Sequence, residues 1–225
     1  MHTPTVLSLN RYQFAAQCVR DLKAVLPAPV VYDVGTGQAQ MQAPVETAGL
    51  TWHGFDLLPS SAAIRKWNLD EPCPEPKPAA GLVLLLEVIE HLRNPGIGLR
   101  HVADSMLPDG RLVLTTPNPR WSRSRLNALR TGFPCCFTQG DLDLNGHVFP
   151  VWPHILQQLL IEAGLVVESY TTLDGRTAWP DQPFSLRYPV RLAHTIVNKW
   201  LERRDPTACG MSYALIARKG PPNRT

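Results

Sequence analysis

The chain has 225 residues, of which 44% are hydrophobic and 18% are charged, with 22 Lys and Arg against 19 Asp and Glu. This length lets one domain bury its own core, and the composition excludes a disordered chain. The longest unbroken apolar run, Leu82 to Leu86, is far shorter than the roughly 20 residues of a transmembrane segment. Because the first ten residues lack the basic start and apolar core of a secretory signal, we expect a cytoplasmic location.

The first half of the chain alternates between helical and strand-like patterns. Apolar residues at helical spacing predict an N-terminal helix over residues 11–26, which Pro27 and Pro29 end. A β-branched run then stops at a glycine turn, a start typical of a parallel sheet. The further elements predicted in this half are strands at 30–34, 51–56, 64–68, 81–86 and 111–117, and helices at 38–49 and 95–106.

The second half predicts two insertions into the same domain, a lid over residues 117–150 and a second insertion over 171–210. The C-terminal core is predicted at 151–170 and 211–219, with a helix at 152–163 and strands at 165–170 and 212–218. We therefore expect one α/β domain over residues 1–225. Its sheet should be doubly wound, with seven strands, the first five of them parallel, and helices on both faces.

The glycine turn and an acidic residue indicate a nucleotide site. Gly35 and Gly37 expose backbone N–H groups directly after the first strand of the sheet. The third glycine of a dinucleotide fingerprint is missing, which disfavours a nicotinamide enzyme. Asp56 ends the next strand, where a carboxylate can accept both hydroxyls of a ribose. A purely structural turn and a strand-end cap are the alternatives for these residues.

Six motifs follow in the order VYDVGTG, GFDLL, WNLDEP, LLEVIEHLRNP, MLPDGRLVLTTPNP and GHVFPVWPHILQQLLIEAGL. Over most of residues 30–170, this order resembles the class I S-adenosylmethionine-dependent methyltransferases. The resemblance implies a Rossmann-like fold, S-adenosyl-L-methionine as cofactor and a donor-binding core at 30–116. It places Asp33, Gly35 and Gly37 at the methionine moiety, Asp56 at the ribose, Asn68 and Leu69 at the adenine, and Glu87 beneath the sulfonium, with Thr36 and Leu57 also in the site.

Two positions depart from the family pattern. Ala39 stands for the third small residue of the glycine motif, and Asn68 stands where the family has an adenine-binding Asp. The carbonyl oxygen of Asn68 can still accept a hydrogen bond from an amino group.

The EVIEHL motif resembles the ubiquinone-biosynthesis O-methyltransferases and the small-RNA 2′-O-methyltransferases. That resemblance implies Glu87, Glu90, His91 and His147 as ligands of a divalent cation, Mg or Zn, beside the acceptor hydroxyl. Carboxylates and imidazoles suit such a cation, which would lower the pKa of a bound hydroxyl. The spacing predicts Glu87, Glu90 and His91 on one face of a helical turn. His91 and His147 are our candidates for the catalytic base, because neutral imidazole is available near pH 7. In the alternative without a metal, His91 is a helix-start residue or a general base.

The lid carries four arginines, Arg120, Arg123, Arg125 and Arg130, without an Asp or Glu among them. They could grip RNA phosphates, although with a net charge of +3 we prefer a solvated helix face over a small-molecule pocket. The amphipathic helix predicted at 189–203 could lie on a membrane surface or pack its apolar side against the sheet.

These features favour O-methylation of a small-molecule acceptor by in-line methyl transfer. The first alternative is a metal-assisted RNA 2′-O-methyltransferase. The second is a protein that binds the nucleotide without catalysis and serves as a partner.

Overall fold

The computed structural model describes residues 3–181 and 187–220, so residues 182–186 of the second insertion lie outside the described part. Strands and helices alternate along this part of the chain. In chain order the strands are β1 (Thr5–Val6), β2 (Val30–Val34), β3 (Thr51–Asp56), β4 (Ile64–Lys66), β5 (Ala80–Leu86), β6 (Met106–Pro117), β7 (Leu165–Thr172) and β8 (Ser212–Lys219). The α-helices are α1 (Arg11–Leu22), α2 (Gln42–Thr47), α3 (Pro95–Ser105), α4 (Ser122–Thr131), α5 (Gln139–Asn145), α6 (Pro153–Glu162) and α7 (Tyr188–Arg204).

All strands join one sheet in the order β1-β7-β8-β6-β5-β2-β3-β4. The run from β6 to β4 is parallel throughout, while β8 lies antiparallel between β6 and β7. From β2 the chain continues to β3 on one side, and it later returns to β5 on the other side of β2. Such a reversal opens a crevice at the carboxyl ends of the strands, where α/β folds bind ligands.

The predicted mostly parallel α/β sheet with helices on both faces is confirmed, but the predicted number of seven strands is wrong. The additional strand is β1, whose Thr5 and Val6 pair with Thr171 and Thr172 of β7. A strand of two residues shows no alternation of apolar and polar side chains, so no pattern announces it.

Three predicted boundaries also differ from the structure. The N-terminal α-helix ends at Leu22 and continues only as a 3-10 turn to Val25. The helix predicted at 38–49 shortens to α2, because Ala39 takes a left-handed conformation with φ 57° and delays the helix start. The fifth predicted strand begins earlier, at Met106, and passes through an irregularity opposite Ala80 and Leu82.

The core lies on both sides of the sheet, and β5 runs through its centre. Leu82 and Leu84 face α1 and α2, whereas Val83 and Leu85 face α3 and α6. A strand buried on both faces offers no polar side chain until it ends. The first such position is Glu87, so chemistry can begin only at that edge of the sheet.

The two segments predicted as insertions contact each other. The lid contains α4 and α5, and α4 packs against α7 of the second insertion. The side-chain amide of Asn118, at the start of the lid, donates to the backbone carbonyls of Thr207 and Cys209, both at 3.0 Å. The lid is therefore anchored to the second insertion as well as to the sheet.

The apolar residues of α7 do not pack against the sheet, so that alternative for the amphipathic helix is wrong. Val190 and Trp200 are 59% and 50% exposed. The buried positions of α7 are Thr195, Asn198 and Glu202, all polar. Among the described helices, none combines the length and the apolar character that crossing a membrane requires.

Candidate active site

The end of β2 is organised around the buried carboxylate of Asp33. It accepts hydrogen bonds from the Thr36 hydroxyl and, at 3.1 Å, from the Trp52 indole N–H. Burial raises the pKa of Asp33, and the two hydrogen bonds oppose this shift. Asp33 therefore holds the glycine turn against β3.

The turn itself requires glycine at Gly35 for two reasons. Its φ of 73° is left-handed, and a Cβ there would lie 2.3 Å from a methyl group of Val88. The backbone N–H groups of Gly35 and Thr36 both donate to the carbonyl of Phe55 in β3, at 2.8 and 3.1 Å. The glycine turn thus touches the EVIEHL segment, to which Val88 belongs.

Asp56 lies at the end of β3 and faces the same turn. Its two carboxylate oxygens accept the N–H groups of Gly37 at 2.9 Å and Leu58 at 3.0 Å. Each oxygen keeps a further lone pair, so the carboxylate can still accept two hydroxyl groups. The neighbouring Leu57 side chain is 53% exposed beside it.

A cavity of about 140 Å³ opens beside the turn. Four of the predicted donor-site residues, Asp33, Gly35, Thr36 and Gly37, line it, whereas Asp56, Leu57, Asn68, Leu69 and Glu87 do not. The prediction did not include the other lining residues, which α1, β5 and the residues directly after the turn contribute. These are Tyr12 of α1, Gln38, Gln40, Met41 and Leu86.

Asn68 and Leu69, predicted at the adenine, form a turn that the fold holds in place. The Asn68 side-chain oxygen accepts the N–H of Asp70 at 3.1 Å, which leaves one of its lone pairs for a ligand. The Leu69 side chain is buried, and its carbonyl lies 3.0 Å from Nδ1 of His101. Adenine recognition by this pair stays a prediction.

Glu87 occupies an unusual backbone position at the end of β5. Its φ is 56°, left-handed for a non-glycine residue, and its N–H donates to the carbonyl of Thr115. Within the described ranges, its buried Oε1 atom has no hydrogen-bond partner. Burial raises the pKa of Glu87, and the positive charge of Arg11 opposes this shift.

Glu90, His91 and His147 form a group whose ligand atoms all lie within 4.8 Å of one another. The predicted helical turn is a 3-10 turn of only three residues, Ile89–His91. Glu87 lies outside it because its left-handed backbone directs the chain away from helical geometry. The structure therefore brings together three of the four predicted metal ligands, and Glu87 is not part of the group.

The Glu90 side chain is fully buried and only partly hydrogen-bonded. Its Oε2 atom accepts the Thr116 hydroxyl at 2.9 Å, and its Oε1 atom has no partner among the residues described. Burial and then the nearby Glu87 raise the pKa of Glu90. Because Glu87 and Glu90 are buried near each other, ionising both is unfavourable, and a positively charged group beside them would be stabilised.

The two histidines face each other beside this acid. Their ring centroids are 4.8 Å apart at an angle of 70°. Nδ1 of His147 lies 2.6 Å from the carbonyl of Cys136 and donates a hydrogen bond to it, so in the neutral tautomer Nε2 carries the free lone pair. Burial and then the neighbouring His147 lower the pKa of His91, which keeps its imidazole neutral.

Comparison with known proteins gives the family. A family model described as a methyltransferase domain matches residues 10–170. A ubiquinone biosynthesis O-methyltransferase of Bradyrhizobium diazoefficiens is 28% identical over 103 residues, 40% of this chain and 41% of that protein. A protein of the same name from Azorhizobium caulinodans is 27% identical over 116 residues, 46% of this chain and 44% of that protein. The matched parts are thus less than half of the length of either curated relative.

A solved structure shows the same fold. The S-adenosylmethionine-dependent methyltransferase from Archaeoglobus fulgidus has a TM-score of 0.59 at 19% identity, covering 93% of this chain and 95% of that chain. At such identity the likeness concerns the fold alone. The family model covers well over half of the residues, so the chain belongs to the methyltransferase domain family, with the fold of the class I S-adenosylmethionine-dependent methyltransferases.

Proposed function

We propose that the protein is an S-adenosylmethionine-dependent O-methyltransferase for a small-molecule acceptor. The observation that carries this proposal is the contact between the glycine turn and the segment that contains His91. Val88, which meets Gly35, stands only three residues before His91. This contact supports a neutral base close to the turn at which we propose that the donor binds. The names of the two curated relatives support methyl transfer to oxygen.

The residues present fit the cofactor. The glycine turn leaves a cavity of about 140 Å³ beside Gly35, and Asp56 has lone pairs for the two ribose hydroxyls. When bound, S-adenosylmethionine supplies a methyl group on an already activated sulfonium. The chain must then align the acceptor, exclude water and remove one proton.

The histidines are the groups that would remove the proton of the acceptor hydroxyl. The pKa of His91 is lowered by burial and by His147, so its imidazole stays neutral at pH 7 and can accept a proton. In its neutral form His147 presents Nε2 as the proton acceptor, because its Nδ1 donates a hydrogen bond to the carbonyl of Cys136. The two rings can therefore share the work of holding and removing that proton.

The same group fits a divalent cation. Glu90 offers a buried oxygen that has no partner among the described residues, and one ligand atom from each of Glu90, His91 and His147 lies within 4.8 Å of the other two. One carboxylate and two imidazoles suit Zn better than Mg, which prefers oxygen ligands. A cation there would lower the pKa of a coordinated acceptor hydroxyl.

Methyl transfer from labelled donor tests the proposal directly. The purified protein is incubated with a panel of catechols, phenols and matched aryl amines, and products are identified by mass spectrometry. Methylated hydroxyl products, lost in His91→Gln and retained in the exposed His154→Gln control, are expected. Donor-product binding with methylation of amines only, or of no acceptor in the panel, would overturn O-methylation as the activity.

A further inference from the structure

A large cavity lies between the lid and the second insertion. It has a volume of about 640 Å³, and α4 and α7 form its opposing walls. This volume is within the roughly 300–1,000 Å³ typical of small-molecule sites. The donor turn does not contribute to it, because none of the residues around Gly35 is in its lining. It is a second and separate recess of the fold.

One segment of the lid connects the wall of this cavity with the histidine pair. Cys135 lines its wall, and the next residue, Cys136, holds Nδ1 of His147 through its carbonyl at 2.6 Å. The Phe137 ring follows, with its centroid 5.6 Å from that of His147. One short segment of lid therefore borders the cavity and positions the proposed base.

Positive charge is concentrated in this cavity. Arg123, Arg130 and Arg191 line it, against one acidic residue, Asp181. Arg191 lies 3.7 Å from Asp181 at an exposed position. Across residues 3–181 and 187–220, neither Arg123 nor Arg130 is bonded to a carboxylate, and residues 182–186 contain no Asp or Glu.

The contrast with the other two lid arginines is informative. Arg120 and Arg125 both donate to the carboxylate of Asp205, at 3.3 and 2.5 Å. An acid of the second insertion therefore neutralises their charge. Arg123 instead stacks on Trp121, with its guanidinium 5.2 Å from the ring centroid. Two lid arginines, Arg120 and Arg125, therefore anchor the lid, and the other two, Arg123 and Arg130, line the cavity.

A buried polar atom points to a ligand in the same place. Asn198 of α7 is 4% exposed and lines the cavity, yet its Oδ1 atom has no partner in the described part of the chain. Buried polar groups are normally hydrogen-bonded, and a lone amide oxygen calls for a donor such as a ligand hydroxyl. Trp179 and Leu126 supply apolar wall beside it.

We propose that this cavity is the acceptor pocket and that it selects a hydroxylated acceptor carrying an anionic group, a carboxylate or a phosphate. The anionic group binds Arg123 and Arg130, and a hydroxyl donates to Asn198. The role of the bound molecule as methyl acceptor rests on the proposed function, whereas the binding of an anion in the cavity does not depend on it.

Two matched probes test the anion preference by calorimetry with S-adenosylhomocysteine present. 3,4-Dihydroxybenzoate carries the anionic group, and its methyl ester lacks only that charge. The acid should bind about tenfold more tightly than the ester. In Arg130→Gln the preference should disappear through weaker binding of the acid, and in the α7 surface control Arg203→Gln it should remain.

Competition then separates the two anions. Benzoate displacing the acid better than phenyl phosphate assigns a carboxylate, and the reverse assigns a phosphate; either outcome upholds the pocket. Equal affinity of acid and ester, or a preference that survives Arg123→Gln and Arg130→Gln, overturns it. If the acid binds through these arginines but no hydroxyl is methylated, the proposed function fails while the anion pocket stands.

Discussion

Ser122, the first residue of α4, donates a 2.9 Å hydrogen bond to Glu202 in the last turn of α7, and both side chains are buried. The backbone N–H of Thr177 and its hydroxyl donate to the same carboxylate. A single acid therefore joins the start of the lid to two parts of the second insertion. The position of α4 over the cavity depends on it.

Replacing this acid should loosen both insertions together. In Glu202→Ala the donors on Ser122 and Thr177 lose their acceptor, which we expect to cost about 2–4 kcal/mol of unfolding free energy. Glu202→Gln keeps one acceptor oxygen and should cost less. Urea unfolding measures the loss, with the exposed Glu162→Ala as control. A fall no larger than that of the control would contradict the anchoring role.

Gly35→Ala should abolish donor binding through its contact with Val88. The new Cβ would clash at 2.3 Å with a side chain of the EVIEHL segment, and the φ of 73° adds strain. Gly49→Ala is a matched control, because Gly49 has a similar φ of 81° but nothing within 4 Å of the new Cβ. Calorimetry with S-adenosylhomocysteine should show lost affinity only in Gly35→Ala. Equal affinities in the two variants would remove the turn from the donor site.

Asp56→Ala should weaken S-adenosylhomocysteine binding by about tenfold or more, because the ribose loses a charged acceptor. Asp56→Asn should retain part of the affinity, since one oxygen can still accept a hydroxyl. The exposed Asp104→Ala serves as control. Unchanged affinity in Asp56→Ala would place the ribose elsewhere.

Asp205 should make the stability of the lid anchor depend on pH. Although burial opposes it, hydrogen bonds from Thr207 and Arg125 lower the pKa of Asp205 from 3.8 to about 2. A lowered pKa stabilises the fold fully above pH 3.8, and that contribution is lost as the pH falls towards 2. The urea midpoint of Asp205→Asn should therefore lie below that of the unchanged protein at pH 7, and the gap should narrow below pH 4. A gap independent of pH would show that the ion pairs contribute nothing.

The metal content of the purified protein tests whether Glu90, His91 and His147 bind a divalent cation. After dialysis against Zn and removal of the excess, we expect about one ion per chain by mass spectrometry. His147→Ala and Glu90→Gln should lose it, and His154→Ala should keep it. A protein that stays free of metal, or variants with undiminished metal, would leave the histidines as bases alone.

The features that local sequence controls could be predicted. The apolar run of β5 and the glycine turn are each set by a few neighbouring residues, and both lie where the pattern puts them. Asp56 belongs to the same class, because a strand end fixes its direction towards the turn.

Residues brought in by tertiary packing could not be predicted in this way. Tyr12 lines the donor cavity only because α1 packs against α2, and no local pattern records that contact. Glu87 lies outside the helical turn predicted for it because the left-handed backbone of a non-glycine residue is set by its surroundings rather than by its own preference. The cavity between α4 and α7 arises from two helices that lie more than 50 residues apart in the chain, so their side chains meet only in the folded molecule.

The amide of Asn118, bonded to the carbonyls of Thr207 and Cys209, has a practical meaning for redesign. A lid grafted from a relative would lack the matching backbone segment around Thr207 and Cys209 to which its first residues must hydrogen-bond. We therefore expect a graft of residues 117–150 to fold only when residues 171–210 are exchanged together with them.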